Sequence, residues 1–334
     1  MQIVNLNLNK SKISYISASL LESIENNLKQ NKKIILYLNK RGEYSSLICE
    51  DCNYFYKCPN CDVSLTVHSN KLLCHICGNT QNIDLACKKC HWTHLKKIWI
   101  WTKQIENSLK KYFEKVNIFR FDLDSVKKKS DKKIALENLE KADIIIATKM
   151  ITTGFDFKNI GLIGIILAEQ DFSFPKYNSE EKAYINLKQL IGRWNRLWEK
   201  TEIIAQTFIP ENEIIKTIFE KNYKQFFIAT LEERKLFNYP PFSEMITLEY
   251  RHKNQQKSID FMLNLKNKLD ILKKSFMQEK NEENDIEIVL NKETFKKYNQ
   301  YYTKIILKWN NLRKFLENIK QEIFRNSNLS VIFE

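Results

Sequence analysis

The sequence predicts an α/β protein in which a layer of parallel strands covered by helices carries a cysteine-rich insertion and is followed by a smaller α+β domain. Three observations carry this reading. Short unbroken apolar runs at 34–38, 143–147 and 162–167 have the character of parallel strands buried on both faces, and they alternate with helical patterns. All eight cysteines fall between Cys49 and Cys90. Beyond about residue 229 the patterns run strand, helix, strand, strand, helix, strand, the order of a split βαβ unit.

Ser19-x-x-Glu22 has the form of a capping box, and Leu21, Ile24 and Leu28 share one face, predicting a helix to about Lys29. The strand at 34–38 ends in Asn39-Lys-Arg-Gly42 and opens a βα unit that the cysteine stretch interrupts. After Cys90, residues 98–101 read as the next strand, 104–113 as a helix, and 116–121 as a strand ending in Arg120-Phe-Asp122-Leu-Asp124. The lysine-rich stretch 127–133 reads as a solvated loop, with phosphate contact as the minority reading, before a helix over 134–141.

In the C-terminal part, Tyr239-Pro-Pro-Phe242 reads as a rigid extended linker, because each proline fixes its own φ and restricts the residue before it. Strands follow at 245–250, 286–290, 302–307 and 330–333. One helix lies between the first two, with Ile259, Met262, Leu265, Leu269 and Leu272 on one face. The other precedes the last strand, with Leu312, Phe315, Ile319 and Ile323.

The cysteine stretch reads CEDC, five residues, CPNC, twelve residues, CHIC, nine residues, CKKC. Two residues between thiolates let both sulfurs of a tight turn reach one ion, and two such knuckles complete a tetrahedron, so four knuckles hold two zincs. Spacing admits pairing of neighbouring knuckles or of interleaved ones. A disulfide framework needs a secreted chain. The start of this one has no apolar stretch behind a basic end, and its longest apolar run, 161–168, is too short to span a bilayer. The expectation is a cytoplasmic protein with no membrane contact and reduced, metal-binding thiols. His68, His75, His91 and His94 lie in or beside the stretch, but eight cysteines already fill two sites and leave them as bystanders.

At 334 residues the chain has room for two or three domains. Its formal charge of +14 falls to about +10 when eight thiolates hold two Zn²⁺. Lysine supplies most of the basic residues, so the charge permits a polyanionic partner without specifying one. Two clusters bear chemistry. Thr148, Gly154 and Asp156 follow the strand at 143–147 and so sit at its carboxyl end, where open α/β sheets bind ligands. Gln189, Arg193 and Arg196, spaced i, i+4, i+7 beside Gly192, share one helix face. Two arginines aimed at one point suit a phosphate, whose oxygens guanidinium forks bind bidentately; the same spacing also suits a surface helix with ordinary ion pairs.

Thr148-x5-Gly154-x-Asp156 followed by Gln189-x-x-Gly192-Arg193-x-x-Arg196 resembles the fifth and sixth motifs of the second RecA-like lobe of superfamily 2 helicases. The cysteine insertion narrows the resemblance to the primosomal protein N′ (PriA) family of bacterial replication-restart DNA helicases, specifically their C-terminal half. It runs from about residue 13 to the end and includes Arg120-x-Asp122-x-Asp124, Phe157, Pro175, Glu181 and the stretch from Glu233-Arg234 to Tyr239-Pro-Pro-Phe242. The resemblance implies a RecA-like helicase lobe 2 over 1–48 and 91–228, a zinc-binding insertion over 49–90 and a C-terminal α+β domain over 229–334. It implies interleaved zinc sets: Cys49, Cys52, Cys87 and Cys90 for one ion, Cys58, Cys61, Cys74 and Cys77 for the other. It further implies Arg193 and Arg196 as arginine-finger residues, and Gly154, Asp156, Gln189 and Gly192 facing nucleotide. Forked or single-stranded DNA, primosome proteins and single-strand-binding protein are the implied partners, and ATP-dependent 3′ to 5′ unwinding the implied activity.

The sequence departs from that pattern in several places. Ala147-Thr148-Lys149-Met150 stands where Gly-Thr-Gln-Met is usual, Thr153 where a lysine is, Glu169 where aspartate is, and Lys103 where glutamate is. Trp194 and Asn195 replace small residues between the arginines. None of the six glycines has the Gly-x4-Gly spacing that cradles phosphates, and there is no Asp-Glu pair for Mg²⁺. ATP with Mg²⁺ is therefore expected only with a separate chain supplying lobe 1, and this chain alone is expected to be inactive. The alternative expectation is a non-enzymatic, zinc-stabilised DNA- or protein-binding relict.

Overall fold

The computed structural model describes all residues except 10, 40–44, 123–128, 153–158, 195–200, 221–222, 281–284, 298, 318–319 and 321–325. In chain order the elements are β1 (Gln2–Asn5), α1 (Ala18–Lys29), β2 (Lys33–Tyr37), β3 (Ser46–Cys49), β4 (Thr66–His68), β5 (Lys71–Leu73), β6 (Thr80–Asn82) and β7 (Leu95–Ile98). Next come α2 (Thr102–Tyr112), β8 (Ile118–Phe121), α3 (Lys129–Lys141), β9 (Ile144–Ala147), β10 (Ile160–Ile165), α4 (Ser179–Trp194), β11 (Glu202–Thr207), α5 (Glu213–Glu220) and α6 (Tyr223–Leu236). The C-terminal elements are β12 (Glu244–His252), α7 (Gln255–Lys280), β13 (Glu287–Lys297), β14 (Gln300–Trp309), α8 (Leu312–Glu317) and β15 (Leu329–Phe333). They form two compact units: Met1–Tyr56 with Asp84–Phe174 and Asn178–Phe226, and Lys57–Ile83 with Pro175–Tyr177 and Phe227–Glu334.

The first unit is built on a six-stranded sheet of order β1-β11-β10-β2-β9-β8, parallel at every pairing. Its isoleucine-rich central strands are buried throughout, as strands covered on both faces must be. Helix α1 lays Leu20 and Ile24 into the core. Gly164 makes that approach possible, since a Cβ there would come within 2.8 Å of Leu36 Cδ2 and 2.9 Å of Leu20 Cδ1.

Three local expectations are corrected. The cap of α1 is Ser17, whose hydroxyl accepts from the Leu20 N–H at 3.1 Å; Ser19 lies inside the helix and its hydroxyl accepts from Asn9 Nδ2. The strand expected at 98–101 is β7, which ends at Ile98 and pairs antiparallel with β3 outside the parallel sheet, where β2 already has β9 and β10 as neighbours. Helix α3 begins at Lys129, so residues 129–133 are helical, in keeping with the good helix propensity of lysine. Two strands of the parallel sheet escaped the periodicity altogether. β1 is a four-residue edge strand with only Val4 buried, and β11 ends in buried Gln206 and Thr207. Gln206 is satisfied by donating to the carbonyls of Tyr15 and Ile166 and accepting from the Ser17 N–H.

The second unit holds a four-stranded antiparallel sheet of order β13-β14-β12-β15, the βαββαβ arrangement expected. Met262, Leu265 and Leu269 of α7 and Leu312 and Phe315 of α8 pack with Ile246, Leu248, Ile305 and Leu307. Of the second helix, Ile319 and Ile323 lie outside the described residues. The same unit contains the small sheet β4-β5-β6. The expected linker Tyr239-Pro-Pro-Phe242 is not extended: the Phe242 N–H donates to the Tyr239 carbonyl at 3.0 Å, the Pro240–Pro241 peptide is cis, and the Tyr239 side chain is buried.

Candidate metal centre

Each cysteine knuckle is built the same way. The N–H of the first cysteine donates to the carbonyl two residues past the second: Cys49 to Tyr54, Cys58 to Val63, Cys74 to Asn79 and Cys87 to Trp92, at 2.7–2.9 Å. The residue directly after the second cysteine takes a positive φ, namely Asn53 (59°), Asp62 (48°), Gly78 (73°) and His91 (63°). These are the residue types that tolerate the left-handed region best. The sequence held this signal in CEDCN, CPNCD, CHICG and CKKCH. This signal gives His91 a backbone role instead of a ligand role. Of the other histidines, His94 Nδ1 lies 2.9 Å from Asp51 Oδ1, and the His68 and His75 Nε2 atoms lie 3.1 Å apart.

The knuckles bring the sulfurs of Cys49, Cys52, Cys87 and Cys90 together, and separately those of Cys58, Cys61, Cys74 and Cys77, each set within 4.8 Å. Cys49 and Cys90 are 3.6 Å apart, Cys52 and Cys87 3.7 Å, Cys58 and Cys77 3.6 Å. A tetrahedron with Zn–S of about 2.3 Å has edges of about 3.8 Å, whereas a disulfide needs about 2.05 Å. The geometry therefore fits zinc and excludes disulfides at these separations. Four thiolates close the coordination sphere, so either ion would be structural, with no open position for chemistry.

Without a cation such sets resist ionising together. Burial pushes the Cys49 thiol up to about 12. Cys87 falls to about 7 although burial opposes it, because the Cys90 and Lys89 N–H groups donate to its sulfur. In the inner set, hydrogen bonding with Cys58 raises both Cys61 and Cys74. A divalent ion reverses this balance by compensating the thiolate charge.

The residues of the helicase-like motifs are placed less completely. Thr148 is buried directly after β9, and its carbonyl accepts from the Ile151 N–H. Gly154, Asp156, Phe157, Thr153, Asn195 and Arg196 lie outside the described residues, as do the side chains of Arg193 and Trp194. Gln189 and Gly192 are exposed on α4, and a Cβ at Gly192 would meet no atom within 4 Å. Unanticipated from sequence, Asp171 is a buried hub. Its Oδ1 accepts from Tyr37 Oη at 3.1 Å, Asn39 Nδ2 at 2.7 Å and Asn186 Nδ2 at 3.4 Å, tying α4 to the carboxyl end of β2. Glu169 is wholly buried and accepts from the Phe208 N–H at 2.8 Å. Asp122 is also buried, receiving Thr102 Oγ1 at 3.1 Å and an ion pair from Arg120. Among the described residues, no helix is long and apolar enough to cross a membrane.

Comparison with known proteins agrees with the cysteine geometry. Residues 58–81 match the family model described as PriA DNA helicase Cys-rich region (CRR) domain. The chain is 34% identical over 259 residues to the replication restart protein PriA of Borreliella burgdorferi, covering 77% of this chain and 39% of that protein. Its similarity to the PriA proteins of Bacillus subtilis and Thermotoga maritima is 30% identity over 249 and 262 residues, which is 73% and 77% of this chain and 31% and 35% of theirs. The chain thus spans about a third of the length of the curated relatives it matches. With its parallel α/β lobe, two zinc-fitting cysteine sets and antiparallel α+β domain, the chain belongs to the PriA family of replication restart proteins, as a C-terminal portion of it.

Proposed function

We propose that the chain acts in cytoplasmic replication restart as the zinc-bearing second lobe and C-terminal domain of a DNA helicase, binding forked or single-stranded DNA. The observation that carries this is the insertion of two closed four-cysteine sites directly after β2 of a parallel sheet, together with relatives that share the replication restart name over three quarters of the chain. The boundaries 1–48 and 91–228, 49–90 and 229–334 are the functional divisions in this reading. Arg193 and Arg196 stabilise the transferring phosphate, with Gly154, Asp156, Gln189 and Gly192 facing the nucleotide. The zincs shape the insertion, and primosome proteins and single-strand-binding protein are its protein partners.

The 334 residues contain no phosphate-cradling Gly-x4-Gly-Lys element. ATP and Mg²⁺ accordingly enter only with a first lobe supplied by other polypeptide, and the 334 residues alone do not turn ATP over. A second reading, a zinc-stabilised DNA- or protein-binding module without catalysis, draws support from Glu169. That carboxylate takes the place of an expected aspartate, yet it is spent on the Phe208 N–H inside the core. DNA-stimulated ATP hydrolysis, measured with the chain alone and with an added P-loop lobe, separates the possibilities. Turnover by the chain alone overturns the proposal. Turnover restored by the added lobe and lost in Arg193→Ala supports it, and binding to forked DNA without any turnover selects the second reading.

A further inference from the structure

The C-terminal sheet is covered on both faces. Alternate residues of β12 and β14, Leu248 and Leu307 among them, meet α7 and α8. The intervening positions point the other way, and four of them, Met245, Thr247, Ile306 and Lys308, are also buried. Lys308 shows what that second face meets. A lysine side chain only 4% exposed lies 3.2 Å from Glu287 Oε2, donates to the Phe237 carbonyl and sits 4.5 Å over the Tyr239 ring. Tyr177 stacks on the same ring at 4.9 Å, and Arg234, beside Tyr177, donates to the Pro240 carbonyl.

From this packed position Tyr239 Oη donates to the Cys61 carbonyl at 2.8 Å, across 178 residues of sequence. Asn291 of β13 donates Nδ2 to the His75 carbonyl at 3.0 Å, and a Cβ at Gly78 would touch Asn291 Oδ1 at 3.4 Å. Each inner knuckle thus receives one side-chain donor from the C-terminal domain. The outer set is tied elsewhere: Cys49 belongs to β3, and the Lys88 N–H, beside Cys87, donates to Tyr56 Oη.

We infer that Tyr239 and Asn291 are positioning residues that lock the inner cysteine knuckles onto the C-terminal sheet, so that metal at Cys58, Cys61, Cys74 and Cys77 sustains the α+β domain and not the α/β lobe. The inference stands on the cysteine geometry and is independent of the helicase reading. It makes the two metal sites unequal: the outer one serves the lobe that carries the insertion, and the inner one is a folding ligand of a domain more than 150 residues further along the chain.

The test is hydrogen exchange read by mass spectrometry on the zinc-loaded 334-residue chain. In Cys58→Ser, amides of 244–252 and 300–309 are expected to lose protection at least ~10-fold, while 34–37, 144–147 and 160–165 keep theirs. Because a cysteine variant can fail to fold, the same exchange is followed in the unaltered chain during stepwise chelation, where retained protection in the lobe reports that folding persists. Tyr239→Phe, which removes only the donor, is expected to speed zinc release from the inner set by ~10-fold or more, the scale of an outer-shell loss, while leaving the outer set at its original rate. Unchanged protection of 244–252 after the inner metal has left overturns the inference. So does loss of protection in both units together, or release from Tyr239→Phe at the unaltered rate.

Discussion

Glu169 gives the α/β lobe one component of its pH dependence, and Glu169→Gln isolates it. The carboxyl group is completely buried at the carboxyl end of the sheet. One oxygen accepts from the Phe208 N–H, and the other has no hydrogen-bond partner among the described residues. Burial raises its pKa from 4.5 to about 7, against the opposing pull of the Phe208 N–H and the nearby Lys96. A carboxyl whose folded pKa is raised contributes stability that is complete below the unfolded pKa and lost as pH rises through the folded one. The gap of about 2.5 between those two values, at 1.36 kcal/mol per pH unit, corresponds to about 3 kcal/mol lost between about pH 4.5 and pH 7. Glutamine keeps an acceptor for the Phe208 N–H and cannot ionise. Acid release of zinc and every other titration is common to both proteins, so the difference between them isolates this group. Unfolding free energies are taken from amide exchange of 160–165 at several pH values from 5 to 8. Relative to the unaltered chain, Glu169→Gln is expected to gain about 2–3 kcal/mol across that range. Parallel pH profiles would refute the assignment of the raised pKa to burial.

Three further outcomes are expected. Gly164→Ala places a methyl group against Leu36 and Leu20 and should destabilise the lobe by about 1–3 kcal/mol in urea unfolding, the usual range for overpacking. Ser17→Ala should cost about 1 kcal/mol by the same assay, whereas Ser19→Ala, inside helix α1, should cost a few tenths; equal costs would restore the capping box that the sequence suggested. Elemental analysis should find two zincs per chain, falling to one in Cys77→Ala, and a single ion in the unaltered protein would contradict the two sets.

What the sequence reveals and what it hides divide along physical lines. The central strands β2, β9 and β10 were legible because burial on both faces demands unbroken apolar runs, and isoleucine supplies them. β1 was hidden because an edge strand of four residues needs only Val4 inside. β11 was hidden because Gln206 reads as polar until its three hydrogen bonds are seen. The thiols announce a metal by their spacing, but spacing alone leaves their partition open; the sulfur separations group them as interleaved sets. Tyr239 departs furthest from what its neighbours in sequence suggest. Two prolines constrain the local backbone and suggest an extended linker, whereas the packing of the tyrosine depends on Tyr177, Lys308 and the Cys61 carbonyl, all remote in sequence. Asp171 belongs with it, since nothing local marks a carboxylate that gathers Tyr37 and Asn39 from the end of β2 and Asn186 from α4.

The pairing of β3 with β7 has a consequence in the statistics of chain closure. Ser46 faces Ile98 and Cys49 faces Leu95, so the two ends of the insertion meet before the chain leaves the lobe, and Cys49 and Cys90 stand 3.6 Å apart beside that ribbon. Closing a flexible loop costs entropy that grows only with the logarithm of its length, about 0.6 kcal/mol for each doubling. Here even that cost is borne by the clasp itself, not by the parallel sheet. The lobe therefore experiences a short connection between β2 and α2, whatever the length of chain beyond Cys49. Extra residues in the interior of the insertion would leave the register of the six parallel strands undisturbed, while a break in the ribbon would expose the lobe to the whole loop at once.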